Sequence, residues 1–242
     1  MLQRFFATLR MTENKELEGE LLQMEIKVLK DILDANEQIA ERNRQLLDSN
    51  SVFAVNLMST PGAGKTSLIL QTLKELKGET KIGVIEGDVS SSLDAEVIGK
   101  EGVPVIQINT GGECHLDANM LSSALNALPL QDIGLLLIEN VGNLVCPAEF
   151  ALGENKKVLI SSIPEGDDKP FKYPLMFHTV DAVLINKIDL LPYLKFDTAV
   201  FSQVIKGINE KVEIFQISCA TGQGIEQWVS WLQSQMNQRY GG

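Results

Sequence analysis

Ser51-Val52-Phe53-Ala54-Val55-Asn56-Leu57-Met58 runs directly into Ser59-Thr60-Pro61-Gly62-Ala63-Gly64-Lys65-Thr66-Ser67, and an apolar periodic stretch follows. A short, nearly continuous apolar run reads as a buried strand, and the spacing predicts a helix over Thr66–Leu76. Between them lies the phosphate-loop pattern G-x-x-x-x-G-K-[ST], with Ser59 where the first glycine is usual. Glycines at 62 and 64 let the backbone N–H groups of Gly62, Ala63 and Gly64 turn inward around phosphate oxygens. The helix N-terminus adds partial positive charge. Lys65 is expected at the β- and γ-phosphates and Thr66 on Mg²⁺, with Ser67 in the same cradle. The change at Ser59 is tolerable if its backbone takes the angles the loop needs.

Outward from that stretch the pattern repeats. Lys81–Ile85, Val103–Ile108, Ile133–Ile138, Lys157–Ile163, Ala182–Ile185 and Val212–Ile217 read as buried strands. Leu116–Leu128, Ala199–Asn209 and Gly224–Met236 read as helices. This alternation predicts an α/β fold of the P-loop NTPase type, a mostly parallel sheet with helices on both faces, as one domain over residues 51–242. Residues 1–50 read as an N-terminal helical extension, with Leu22, Ile26, Leu29, Leu33 and Ala40 on one face. That stripe fits a helix packed on the main domain better than a dimer-forming or partner-binding arm. Residues 1–10 match nothing in the rest, and Met11 is an alternative start.

Composition excludes several classes. The chain has 242 residues, 44% hydrophobic and 22% charged, which excludes wholesale disorder. Its 21 basic and 32 acidic side chains leave a net charge of −11, so it lacks the overall footprint of a nucleic-acid binder. No apolar run approaches the ~18 residues of a membrane span, and the basic start lacks a secretory apolar core. Three cysteines are too few and too odd for a disulfide scaffold and suit a reducing cytoplasm.

Three later segments carry chemistry. Asn186-Lys187-Ile188-Asp189 ends a strand about 120 residues beyond the phosphate loop, where an N-K-x-D sequence resembles the guanine-reading motif of GTPases. The Asp189 carboxylate can accept from both guanine N1–H and the 2-amino group, which adenine does not offer. Asn186 braces the loop, the Lys187 stem covers the ring, and Ser218-Cys219-Ala220 stands where a backbone N–H meets the base oxygen. Asp88, in Glu86-Gly87-Asp88, is expected on Mg²⁺, with Asp94 as the rival carboxylate. Glu139, at the end of an apolar strand and before Val141-Gly142, is expected to orient water or reach the metal shell, and the Gly142 N–H to sense the γ-phosphate. Lys65, Asp88 and Glu139 are therefore the candidate catalytic residues. No Gln or Arg stands out as a catalytic finger, so turnover is expected to be slow and tuned by dimerisation or a partner.

Cys114-His115 follows the third strand, and Cys146 lies four residues beyond Gly142. Two thiolates and an imidazole suit Ni²⁺ or Zn²⁺, and three protein ligands leave an open position. Adjacent Cys and His point apart in extended chain, so the site needs either a sharp turn or a second subunit. Cys219 reads as a small buried hydrophobe and His178 as structural.

Taken together, STPGAGKTS, EGD, NTGGECHLDA, ENVGNLVCP, PEGDDKPFKYP, NKIDLLPY and SCATGQGIEQW resemble the hydrogenase nickel-incorporation GTPases, the HypB family of the SIMIBI class. The resemblance implies a GTP-hydrolysing metallochaperone that dimerises with GTP and metal, works with a HypA-type nickel carrier, and assists nickel insertion into the [NiFe]-hydrogenase large-subunit precursor. It implies that Lys65 and Thr66 serve phosphate and Mg²⁺, Asp88 serves Mg²⁺, Asn186 and Asp189 read guanine, and Cys114, His115 and Cys146 hold the metal. No Cys or His precedes residue 114, so the N-terminal nickel motifs of some members are lacking. The alternatives are a nucleotide-dependent scaffold for a nickel carrier, or an accessory GTPase for another nickel enzyme.

Overall fold

The computed structural model describes residues 30–88 and 93–241. Residues 30–49 form helix α1, of whose expected apolar stripe Leu22, Ile26 and Leu29 lie outside the described residues. The strands are β1 (Phe53–Ser59), β2 (Ile82–Asp88), β3 (Val105–Asn109), β4 (Leu135–Glu139), β5 (Lys156–Ser162), β6 (Ala182–Asn186) and β7 (Glu213–Gln216). The remaining helices are α2 (Lys65–Glu75), α3 (Leu93–Gly99), α4 (Ala118–Leu125), α5 (Cys146–Glu149), α6 (Lys169–Lys172), α7 (Pro174–Thr179), α8 (Thr198–Ile208) and α9 (Ile225–Tyr240).

The seven strands pair in parallel in the order β3-β2-β4-β1-β5-β6-β7. Parallel pairing leaves both faces to be covered, which is why the strands are apolar on both sides. Phe53, Val55 and Leu57 pack with α2 and α9, around Leu68, Ile69 and the fully buried Trp228. Ala54 points the other way, into a cluster with Leu47 of α1, Leu121 and Leu125 of α4, and Leu116. Met58 joins a third cluster under α7 and α8, built on Phe177, Phe201 and Ile205.

Element edges depart from the expected ones for local reasons. Ser51 takes a left-handed φ of 55° in the turn that closes α1, so β1 begins at Phe53 rather than Ser51. β2 runs on to Asp88 because its pairing with β3 continues to Asn109. The Asp117 carboxylate accepts from Met120 N–H at 2.7 Å, and this N-cap starts α4 at Ala118, two residues past the expected Leu116. Helix α9 outlasts its expected end at Met236 by four residues. Its tail is held by Arg239 and Tyr240, which both bond the Asp48 carboxylate at 2.7 Å. Helices α3, α5, α6 and α7 were not expected, being too short to develop a helical periodicity.

Two buried positions of α1 are polar. Asn36, Ala40, Asn43 and Leu47 share its covered face. Each asparagine reaches backbone of the underlying loops: Asn36 donates to Ala151 O at 2.8 Å, and Asn43 donates to Ala118 O at 2.7 Å and Leu152 O at 3.0 Å.

Candidate nucleotide and metal site

In an open parallel sheet the ligand edge is the one at the strands' carboxyl ends, and the candidate residues gather there. Ser59 closes β1 fully buried, with no left-handed angle. Its hydroxyl accepts from Lys65 Nζ at 3.1 Å and donates to Thr60 O at 2.6 Å. Serine at this position therefore adds a hold on the lysine. Gly62 and Gly64 take φ values of 75° and 108°, the left-handed region that only glycine enters at little cost. Gly64 stands immediately before α2, so the free N–H groups of that helix face the loop.

A cavity of about 510 Å³ opens over this loop. Gly62, Gly64, Lys65, Thr66 and Ser67 line one side, and Glu86, Asp88, Asp94, Glu139 and Gly142 line the other. The strand register explains the acidic wall: Glu86 stands directly opposite Glu139 across β2 and β4, so both carboxyls share one face. Glu139 Oε1 accepts from Thr66 Oγ1 at 3.1 Å and lies 3.9 Å from Lys65 Nζ. Oε2 of Glu86 and Oε2 of Glu139 are buried without a hydrogen-bond partner. Burial, followed by the neighbouring charges of Glu139, Asp88 and Asp94, pushes Glu86 up to about 8. Burial pushes Glu139 up to about 7 against the opposing pull of Lys65. Unpaired carboxylate oxygens crowded beside a phosphate cradle suit a hard divalent cation, and Thr66, Asp88 and Glu139 offer the oxygens Mg²⁺ takes. Glu86 was quoted in the sequence motif without a role. Its signal was an acid inside an apolar strand.

Gly142 approaches the loop so closely that a Cβ there would stand 2.8 Å from Pro61 N. Its N–H is thus carried beside the phosphate cradle.

The segments expected to read the base converge on the same loop from β6 and β7. Asn186, buried at the end of β6, donates from Nδ2 to Ala63 O at 2.9 Å. Its Oδ1 accepts from Lys187 N–H at 2.7 Å and Cys219 N–H at 3.2 Å. Lys187 sits at a left-handed φ of 63° and donates from Nζ to Gly62 O at 2.7 Å, which ties its side chain to the phosphate loop. The half-buried Asp189 accepts from the buried Ser218 hydroxyl. Ala220 is exposed at the rim. Cys219 packs against the core, and burial raises its thiol to about 11, so it is an inert neutral group. His178 lies exposed on α7, its Nδ1 3.3 Å from Ile208 O and far in sequence from any donor set.

Cys114, His115 and Cys146 come together within one chain, their ligand atoms all within 4.8 Å of one another. A sharp turn brings the adjacent pair to bear. Gly111 and Gly112 take left-handed φ values of 64° and 109° just before it. Thr110 pins the turn through its hydroxyl to Glu113 O at 2.8 Å. Cys114 Sγ lies 3.0 Å from Cys146 Sγ and 3.7 Å from His115 Nδ1, and both cysteines are free thiols. Cys146 opens α5 and is part-exposed rather than sealed in the core. Its thiol is raised first by the hydrogen bond with Cys114, then by burial and by the neighbouring Cys114 charge. Burial, with the Phe150 ring 4.1 Å away centre to centre, lowers His115 against the opposing charges of Glu113 and Asp117, a shift toward the neutral imidazole that a metal ligand requires. Asn143, between Gly142 and Cys146, donates to Cys114 O at 3.2 Å and accepts from Val145 N–H at 3.0 Å. Sequence reasoning missed this residue.

Comparison with known proteins agrees with this geometry. The profile of the CobW/HypB/UreG nucleotide-binding domain matches residues 53–216. The hydrogenase maturation factor HypB of Escherichia coli K12 is 48% identical over 215 residues, covering 89% of this chain and 73% of that one. The crystal structure of the HypB factor from Archaeoglobus fulgidus superposes with a TM-score of 0.80 at 41% identity, over 84% of this chain and all of that one. HypB from Helicobacter pylori, solved in complex with nickel, gives 0.81 at 34% identity over 85% and 97% of the two chains. A phosphate-loop sheet with these motifs at its carboxyl edge, matched over this much of its length, belongs to the CobW/HypB/UreG family and, within it, to the HypB hydrogenase maturation factors.

Proposed function

We propose that this chain is a GTP-hydrolysing metallochaperone that carries nickel at Cys114, His115 and Cys146 and releases it to a [NiFe]-hydrogenase large-subunit precursor under control of the bound nucleotide. The supporting observation is the donor triad itself, its third member four residues past Gly142. A ligand so close to the γ-phosphate sensor moves when that segment reorders. The nickel-bound Helicobacter relative supports nickel as cargo, and the same soft donor set accepts zinc.

In this reading residues 51–242 are the GTPase domain and residues 1–50 its extension. Asp189, Asn186, Lys187 and the Ser218–Ala220 loop select guanine, and Gly62–Ser67 hold the phosphates. Mg²⁺, held through Thr66 and Asp88 with Glu139 alongside, neutralises phosphate charge when bound. Lys65 adds its own charge at the β- and γ-oxygens. Glu139 orients the attacking water, and Gly142 donates to the γ-phosphate. Hydrolysis then rests on positioning, since phosphoryl transfer asks little covalent help. With no arginine finger in the sequence motifs, turnover is slow and is raised by homodimerisation or by a HypA-type nickel carrier. Among the described residues no helix is long and apolar enough to cross a membrane, and reduced thiols suit the cytoplasm.

Equilibrium dialysis of nickel against the full chain, loaded with GDP or with a non-hydrolysable GTP analogue, tests this. The expected result is a different nickel affinity in the two states, erased by Cys146→Ala. Equal affinities in the two states of the unmutated chain refute nucleotide-gated transfer.

A further inference from the structure

The metal triad and the phosphate sensor are joined by buried amide groups to which the proposed function gives no part. Asn140 stands between Glu139 and Val141 at the carboxyl end of β4 and is 1% exposed. Its single side-chain oxygen accepts two backbone hydrogen bonds, from Val141 N–H at 2.9 Å and from Leu116 N–H at 3.0 Å. Val141 immediately precedes Gly142, and Leu116 immediately follows His115. One oxygen atom thus holds the backbone of both functional segments.

The other end of the carboxamide is anchored as well. Asn140 Nδ2 donates to Asn56 Oδ1 at 3.2 Å, and Asn56 Nδ2 donates to Glu154 Oε1 at 3.1 Å. Glu154 Oε2 accepts from Leu152 N–H at 2.8 Å, in the segment that leaves α5 and therefore Cys146. Asn43 of α1 closes the circuit, donating both to Leu152 O and to Ala118 O beyond the Cys-His pair. Leu116 has no slack: its side chain is fully buried, and it fills the space over Gly87 so tightly that a Cβ there would lie 2.7 Å from Leu116 Cγ. A buried N–H left without an acceptor is costly, so displacement of Val141 cannot leave the shared oxygen behind without strain elsewhere.

We infer that Asn140 is a positioning residue: its carboxamide transmits movement of the phosphate-sensing segment at Val141-Gly142 to the backbone that aims His115 and Cys114. This rests on the nucleotide-gated metal site proposed above and names the part that does the gating. A larger displacement of Val141-Gly142 on nucleotide exchange pulls Leu116 through the common acceptor. The Asn56–Glu154 strut holds the pivot, so the motion is spent on the ligand loop and not on rotating the amide.

The test uses the full chain and cobalt(II), whose sulfur-to-metal charge-transfer absorption reports thiolate ligation directly. Cobalt affinity and that band are measured with GDP and with a non-hydrolysable GTP analogue, for the unmutated chain, Asn140→Ala and Asn140→Asp. Allosteric coupling of ordinary size makes the two affinities differ by about 5–150-fold. In Asn140→Ala the ratio is expected to fall to within about 2-fold of unity, although each site still binds its ligand. Asn140→Asp keeps an acceptor oxygen for Val141 and Leu116 but loses the donor to Asn56, and is expected to retain part of the ratio and of the nucleotide-dependent change in the band. Asn140→Leu, which fills the space without an acceptor, replaces the alanine variant if that fails to fold. An unaltered ratio in the alanine or leucine variant overturns the inference. A ratio of unity in the unmutated chain is a different failure, because it removes the gated site itself and the role of Asn140 with it.

Discussion

Glu139→Gln removes a charge from the acidic wall and should change how stability depends on pH. Glu139 is 4% exposed, and its Oε2 has no hydrogen-bond partner. Burial raises its carboxyl from an ordinary 4.5 to about 7, with Lys65 opposing and Asp94 and Asp88 reinforcing the rise. A carboxyl raised by folding is more easily protonated in the native state than in the unfolded one. Its stabilising effect is therefore complete below about 4.5 and is lost as the pH climbs through about 7. The difference corresponds to roughly 3 kcal/mol, of which about 2 kcal/mol falls between pH 5.5 and 8.5. Glutamine keeps the shape and the acceptor for Thr66 but cannot ionise. Urea unfolding of both chains, free of nucleotide and divalent ions and with thiols reduced, should show the variant gaining on the unmutated protein by about 2 kcal/mol across that interval. His115 and every other titrating group are common to both chains, so the difference between the two profiles isolates this carboxyl and its coupling to Glu86. Parallel profiles would refute the reasoning, since they would mean that Glu139 is as well solvated in the fold as in the unfolded chain. Adding Mg²⁺ and nucleotide should flatten the unmutated profile, because a bound cation stabilises the ionised form.

Two further outcomes follow from the same geometry. Asp189→Asn removes the double acceptor for guanine. Competition binding should show GTP weakened by about 10–100-fold with xanthosine triphosphate gaining, as the loss of a charged hydrogen-bonded pair implies, and unchanged GTP binding would remove Asp189 from the base site. Gly142→Ala places a methyl 2.8 Å from Pro61 N, against backbone of the phosphate loop. It should lower affinity for a γ-phosphate analogue at least about 10-fold while GDP binding changes little, and equal losses for both nucleotides would assign Gly142 to loop integrity alone.

The nucleotide half of the site was legible because its parts are local. A strand, a glycine turn and a helix start are contiguous from Phe53 to Glu75, and each needs residue types that announce themselves. The same holds for Asn186 to Asp189, where the asparagine braced on Ala63, the lysine bonded to Gly62 and the carboxylate proposed to accept from the base lie within four residues. The metal half was legible only as a donor list. Whether Cys114, His115 and Cys146 could meet within one chain depended on two left-handed glycines and on the placement of α5 beside the β3–α4 loop.

The amino-acid order by itself determined the alternation of strands and helices, the phosphate cradle, the guanine motif and the chemistry of the candidate ligands, because each depends on neighbours in the chain. Tertiary structure decided what depends on register and burial. It set Glu86 against Glu139 across two strands and raised both carboxyls. It made Ser59 a support for Lys65, and it turned the asparagines at 36, 43, 56 and 140 into a connected interior. A polar residue within an apolar run signals only that some partner must exist. Which partner it finds is set by segments 75–115 residues away in sequence for Asn43, Asn56 and Asn36, and their approach is fixed only when the sheet closes and the helices pack upon it.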